Sequence, residues 1–105
     1  MFARVTTLRV QTGKLDELIR VFQDAIAPTL ALQPGCGGIT LMSDARSGRA
    51  IVLELWAGGV LPGDRVDHGG MLANGLLAEA PQQEVYEVSV QVEMTEEGAA
   101  HIRGI

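Results

Sequence analysis

The chain has 105 residues, 47% of them hydrophobic and 20% charged, with a formal net charge of −5. That is the size and composition of one globular domain. Its eight Lys and Arg are spread from Arg4 to Arg103, which excludes nucleic acid or an anionic membrane surface as partner, because both need clustered cations.

No apolar run approaches the roughly 18 residues of a spanning helix. Met1-Phe2-Ala3-Arg4-Val5 does not resemble a signal peptide, so a cytoplasmic protein is expected. The single cysteine, Cys36, cannot form an internal disulfide or a structural zinc site. It reads as a small buried apolar residue at the start of a strand.

Residues 2 to 10 alternate and carry Val5, Thr6, Thr7 and Val10, which predicts a strand. Thr12-Gly13 punctuates the chain, with Thr12 a candidate N-cap and Asp16 and Glu17 suited to the first turn of a helix. Leu15, Leu18, Ile19, Phe22, Ile26 and Leu30 recur at helical spacing. Pro28 lies inside that helix and predicts a kink or break near Ala27. Pro34-Gly35 stops it.

Residues 36 to 43 form a second expected strand. A polar turn through Gly48 leads to a third, Ala50 to Trp56, whose near-continuous apolarity predicts cover on both faces. Residues 57 to 81 hold six of the thirteen glycines. Met71, Leu72, Leu76 and Leu77 still predict a short helix from Gly70 to Ala80, preceded by a loop.

That loop, residues 57 to 70, reads as a mobile lid over a cleft. A frame error in the gene is the competing explanation of its composition. Glu84 to Met94 alternates cleanly as a fourth strand, with Tyr86, Val88, Val90 and Val92 on one face. The domain is thus expected over residues 1–94, with a loosely held tail over 95–105. The order is β-α-β-β-α-β, a ferredoxin-like α+β fold with two helices on one face of a four-stranded antiparallel sheet.

The chain resembles the antibiotic-biosynthesis-monooxygenase-like group of the dimeric α/β-barrel superfamily. The resemblance is carried by Leu8-Arg9-Val10, Gly13-Lys14-Leu15-Asp16-Glu17-Leu18, Gln33-Pro34-Gly35-Cys36, Leu53-Glu54-Leu55-Trp56 and Val85-Tyr86-Glu87-Val88. It covers residues 2 to 56 and 84 to 93. It implies a homodimer with sheets face to face, and a small-molecule cleft between each sheet and its helices. Haem-degrading relatives use an Asn on the first strand and a Trp-His pair on the second helix, and neither is present. No metal, haem or other cofactor is therefore expected.

The candidate site residues are few. His68, in Asp64-Arg65-Val66-Asp67-His68, could act as a general base oriented by a carboxylate, or be an exposed loop residue. Asn74 could bond a ligand oxygen, or be solvated. Trp56 could stack on a flat aromatic molecule and donate its N–H to a carbonyl, or simply pack. Tyr86 could line the same site, or sit in the core with its hydroxyl bonded.

Arg4, Thr6 and Glu54, with Glu87, Ser89 and Gln91, are expected to face the partner's sheet, where charges must be paired. Two functions follow as expectations. One is a cofactor-independent monooxygenase-like protein acting on a small aromatic or quinone-like molecule. The other is a non-catalytic binding or accessory dimer of the same fold.

Overall fold

The structure, a computed structural model, describes residues 1–58 and 74–94 and the backbone of 100–104. Strand β1 (Phe2–Arg9) organises it. Along β1 the even-numbered residues Arg4, Thr6 and Leu8 are buried, and so is Val10 just beyond, while Val5 and Thr7 are half-covered. Period-two alternation of this kind means that one sheet face meets a core.

That core lies under the helical segment. Leu8, Val10, Ala50 and Val52 from the sheet pack with Leu18 and Phe22 from the helix and with Leu76 and Leu77. Each fully buried Leu here contributes about 1.5–3 kcal/mol.

The helix runs as α1 (Leu15–Val21), a π-helical stretch (Phe22–Ile26) and α2 (Ala27–Ala31). Lys14, not Thr12, occupies the N-cap position, and no side chain caps the helix. Asp16 and Glu17 do stand in the first turn. Pro28 widens the helix without breaking it. Its ring would crowd the carbonyl four residues back, and it has no N–H to offer. The Ala27 N–H reaches five residues back to the Phe22 carbonyl, and the Thr29 hydroxyl donates to the Ala25 carbonyl at 2.8 Å. The loss at Pro28 is thus absorbed locally.

Strands β2 (Cys36–Asp44) and β3 (Arg49–Trp56) form the expected hairpin. Gly48 closes its turn at φ +71, and the Arg46 N–H donates to the Asp44 carboxylate at 3.0 Å. With β4 (Gln82–Glu87) they make one antiparallel sheet in the order β2-β3-β1-β4. The ferredoxin-like class holds: a four-stranded antiparallel sheet with helix on one face.

Three local expectations are corrected. Residues 74–80, the described part of the helix expected over Gly70–Ala80, form a turn and an isolated bridge from Leu77 to Val10. Gly75 sits at φ +76, outside the right-handed helical region. Leu76 and Leu77 are both buried core anchors that extend the end of β1. The fourth strand is interrupted at 88–89, where the Val88 N–H donates to the Met1 carbonyl.

Beyond the interruption, β5 (Val90–Met94) leaves the main sheet and pairs with β6 (Ala100–Gly104). The tail expected to be loosely held therefore contains a strand. The lid expected over 57–70 falls outside the described residues except for Ala57 and Gly58.

Candidate functional site

The residues that share the helix-facing side can be counted off the register. Phe2 pairs with Trp56 and Glu87, Arg4 with Glu54 and Val85, and Thr6 with Val52 and Gln83. Paired residues in a sheet share a face. Arg4, Thr6, Glu54 and Trp56 therefore lie on the same side as Leu8 and Val52. Their exposures are 4%, 0%, 0% and 1% in a single chain. This corrects the expectation that Arg4, Thr6 and Glu54 face a partner's sheet: one chain already buries them beneath its own helical side.

The Arg4 and Glu54 side chains meet as two parallel bonds. Arg4 Nε donates to Glu54 Oε2 at 3.0 Å, and Arg4 Nη2 donates to Glu54 Oε1 at 2.6 Å. This fork-to-fork geometry is the strong form of the interaction. A buried pair of this kind breaks even only when the geometry is good, and losing one partner costs about 3–5 kcal/mol.

Two polar atoms flank the pair without a partner: Trp56 Nε1 and Thr6 Oγ1. An unmade hydrogen bond in a buried position costs about 1–3 kcal/mol. Each is a point where a polar ligand atom would gain a bond that the protein does not make itself.

Trp56 is held from both sides. On β3 it stands opposite Phe2 and Cys36. Immediately after it, the Ala57 N–H donates to the Gly35 carbonyl at 2.7 Å, which ties the end of β3 to the turn that leaves the helix. Cys36 is a free, half-buried thiol. It lines an open groove of about 560 Å³ with Gln23, Ala27, Pro28, Gly38 and Ile39.

The other candidates do not gather at Trp56. Tyr86 pairs with Ala3, so it lies on the face turned away from the described helix, opposite to Trp56, and is 52% exposed. Its hydroxyl donates to the Glu84 carboxylate. That bond, and the negative charge behind it, hold the phenol above its ordinary pKa. Asn74 is exposed in the turn just before Leu77, which bridges Val10 at the end of β1 remote from Trp56. His68 lies outside the described residues. Among the described residues no group of three or more His, Cys, Asp or Glu could hold a metal ion, and no helix is long and apolar enough to cross a membrane.

Reading from sequence missed the grouping of Thr6, Arg4 and Glu54 with Trp56. Parity groups Arg4 and Thr6 with Leu8 and Val10, but it does not say that this is the buried side.

The sequence profile described as antibiotic biosynthesis monooxygenase matches residues 1–57, more than half of the chain. The chain belongs to the antibiotic biosynthesis monooxygenase family. The matched segment contains the whole row Arg4, Thr6, Glu54 and Trp56.

A family structure from Caulobacter crescentus CB15, provisionally assigned as an antibiotic biosynthesis monooxygenase, superposes with a TM-score of 0.62 at 32% identity. That alignment covers 83% of this chain and 88% of the other. Rv0793 from Mycobacterium tuberculosis shares the fold, with a TM-score of 0.61 at 17% identity over 83% of this chain and 93% of its own. The uncharacterized protein Rv2557 of Mycobacterium tuberculosis is 36% identical over 56 residues, 53% of this chain and 25% of that protein. The chain thus spans about a quarter of the length of the curated relatives it matches.

Proposed function

We propose that this chain is a monooxygenase-like protein of its family that takes a small aromatic or quinone-like molecule on the helix-facing side of the sheet, against Trp56. The observation that carries the reading is the buried indole whose N–H has no protein partner. An indole offers a flat apolar face and one donor, which suits a planar ring bearing a carbonyl or phenolic oxygen.

The reaction needs no cofactor. A base withdraws a proton from an activated ring CH₂, and the carbanion reduces O₂. The CH₂ becomes a carbonyl while the second oxygen atom leaves as water. His68 is the candidate base. Oxygen uptake by the purified protein with hydroxylated anthracene-type compounds tests this, alongside quenching of Trp56 emission. Quenching without oxygen consumption would leave binding and remove the chemistry.

A homodimer belongs to the same reading. The face turned away from the described helix presents Met42 and Tyr86 as exposed residues and Val5, Ile51, Leu53 and Leu55 half-covered. An apolar sheet face of this kind calls for a second layer.

One observation favours the second reading, a non-catalytic binding or accessory dimer. Asn74 and Tyr86 stand away from Trp56, so the described charged groups nearest the indole on its face are a closed ion pair. Those groups bind well but do not themselves move a proton.

A further inference from the structure

Arg4 lies two residues along β1 from Thr6, and Glu54 two residues along β3 from Trp56, all on one face. The rows of Thr6 and Trp56 are about 13 Å apart at the rise of a strand, with the ion pair between them. An arginine 4% exposed beside a buried indole would by itself be an anion receptor. Here Glu54 takes both Nε and Nη2, and its carboxylate is wholly buried.

The pair therefore brings no net charge to the surface under Trp56. Glu87, exposed on the same face in the Phe2 row, adds a negative charge at the margin. The groups left wanting a partner are a neutral N–H donor and a neutral hydroxyl.

We propose that the Arg4–Glu54 pair determines specificity at Trp56, admitting neutral aromatic carbonyl or phenol ligands and rejecting aromatic carboxylates and phosphates. The inference rests on the reading that Trp56 marks the ligand site. The physical reason is desolvation. A neutral carbonyl entering the site exchanges a water hydrogen bond for one from Trp56 Nε1. An anion gives up its hydration and meets no unshared cation. Glu54 is thus a positioning residue: it acts by holding Arg4, not by touching the reacting atoms.

The chain has one tryptophan, so Trp56 emission reports on this site alone, with calorimetry as an independent readout. The probes are naphthoquinone and naphthoate, bicyclic molecules of similar size, the first neutral with ring carbonyls and the second an anionic carboxylate. The wild-type protein should bind naphthoquinone at least about tenfold more tightly, a difference of 1.4 kcal/mol. Glu54→Gln keeps the size of the side chain and removes the negative charge that balances Arg4, and should close that gap by about tenfold through tighter naphthoate binding.

Arg4→Gln/Glu54→Gln restores neutrality and should restore the wild-type preference, which keeps the test open if the single variant fails to fold. Equal wild-type affinity for both probes overturns the inference while leaving the site reading intact. So does a folded Glu54→Gln with the wild-type ratio, or a folded double variant that has lost the preference. If neither probe binds the wild-type protein, the site reading falls and takes the inference with it.

Discussion

Gly35 and Ala57 clamp the exit of the helix to the end of β3. The Ala57 N–H donates to the Gly35 carbonyl at 2.7 Å, and a Cβ built on Gly35 would stand 2.9 Å from the Ala57 carbonyl oxygen. Gly35 also sits at φ +85, a conformation that other residues rarely adopt. Close approach and backbone angle both demand glycine here, and Trp56 is the next residue inward.

Gly35→Ala should therefore lower stability by about 1–3 kcal/mol and redden Trp56 emission as the indole loses its packing. Gly13→Ala is the control. Gly13 has φ +79 but open space around its Cβ position, so it carries the backbone penalty alone. Urea unfolding of the two variants decides the matter. An equal loss for both would show that the contact with Ala57 contributes nothing.

Breaking the buried ion pair should be far worse than removing it. Glu54→Ala leaves the Arg4 guanidinium buried without its carboxylate and should cost about 3–5 kcal/mol, while Arg4→Met/Glu54→Met should lie within about 1–2 kcal/mol of wild type or above it. Denaturant midpoints for the double variant and for Arg4→Met and Glu54→Met singly complete a double-mutant cycle. A coupling near zero would mean that the two bonds contribute nothing to stability.

Tyr86 is the only tyrosine in the chain, so its phenol can be followed without ambiguity. The Glu84 carboxylate accepts a hydrogen bond from the phenol and repels the phenolate. The neutral phenol is favoured in the folded state, so this contribution is present below pH 10.0 and fades as the pH rises through the elevated folded value. Glu84→Gln should bring the ultraviolet titration down toward 10.0. An unchanged titration would show that Glu84 does not govern it.

Asp44 works in the opposite direction. The Arg46 N–H and the Ser47 hydroxyl hold its carboxylate below the ordinary value of 3.8. Its contribution is complete above that value and is lost as the pH falls through the depressed one. Asp44→Asn should flatten the acid limb of the stability profile below about pH 4 and leave the neutral region nearly level. The effect is small because the group is exposed.

The open sheet face should drive association. Light scattering at micromolar concentration should give twice the 11.2 kDa chain mass, and Leu53→Glu should give the single-chain mass with an intact fold. A wild-type monomer at that concentration would remove the dimer.

The strands and the first helix were legible in the sequence because period and spacing are local properties. Val5 to Val10, Leu15 to Leu30 and Ala50 to Trp56 each announce their element without reference to the rest of the chain. Pro28 announced a disturbance near Ala27, and chain order was enough to predict the ferredoxin-like class. What the sequence could not decide was which of two faces each strand turns to the helix.

Alternation says that Arg4 and Thr6 share a side. Only the register with β3, and the placement of Leu18 and Phe22 over Leu8 and Val52, says that this side is the buried one. The same ambiguity put Tyr86 and Trp56 in one site, where the sheet sets them on opposite faces. Leu76 and Leu77 misled for a related reason. Two adjacent leucines fit a helix face as readily as a buried bridge, and only the left-handed Gly75 and the pairing with Val10 separate the two. Periodicity is written along the chain, but the side it favours is fixed by contacts between residues fifty positions apart.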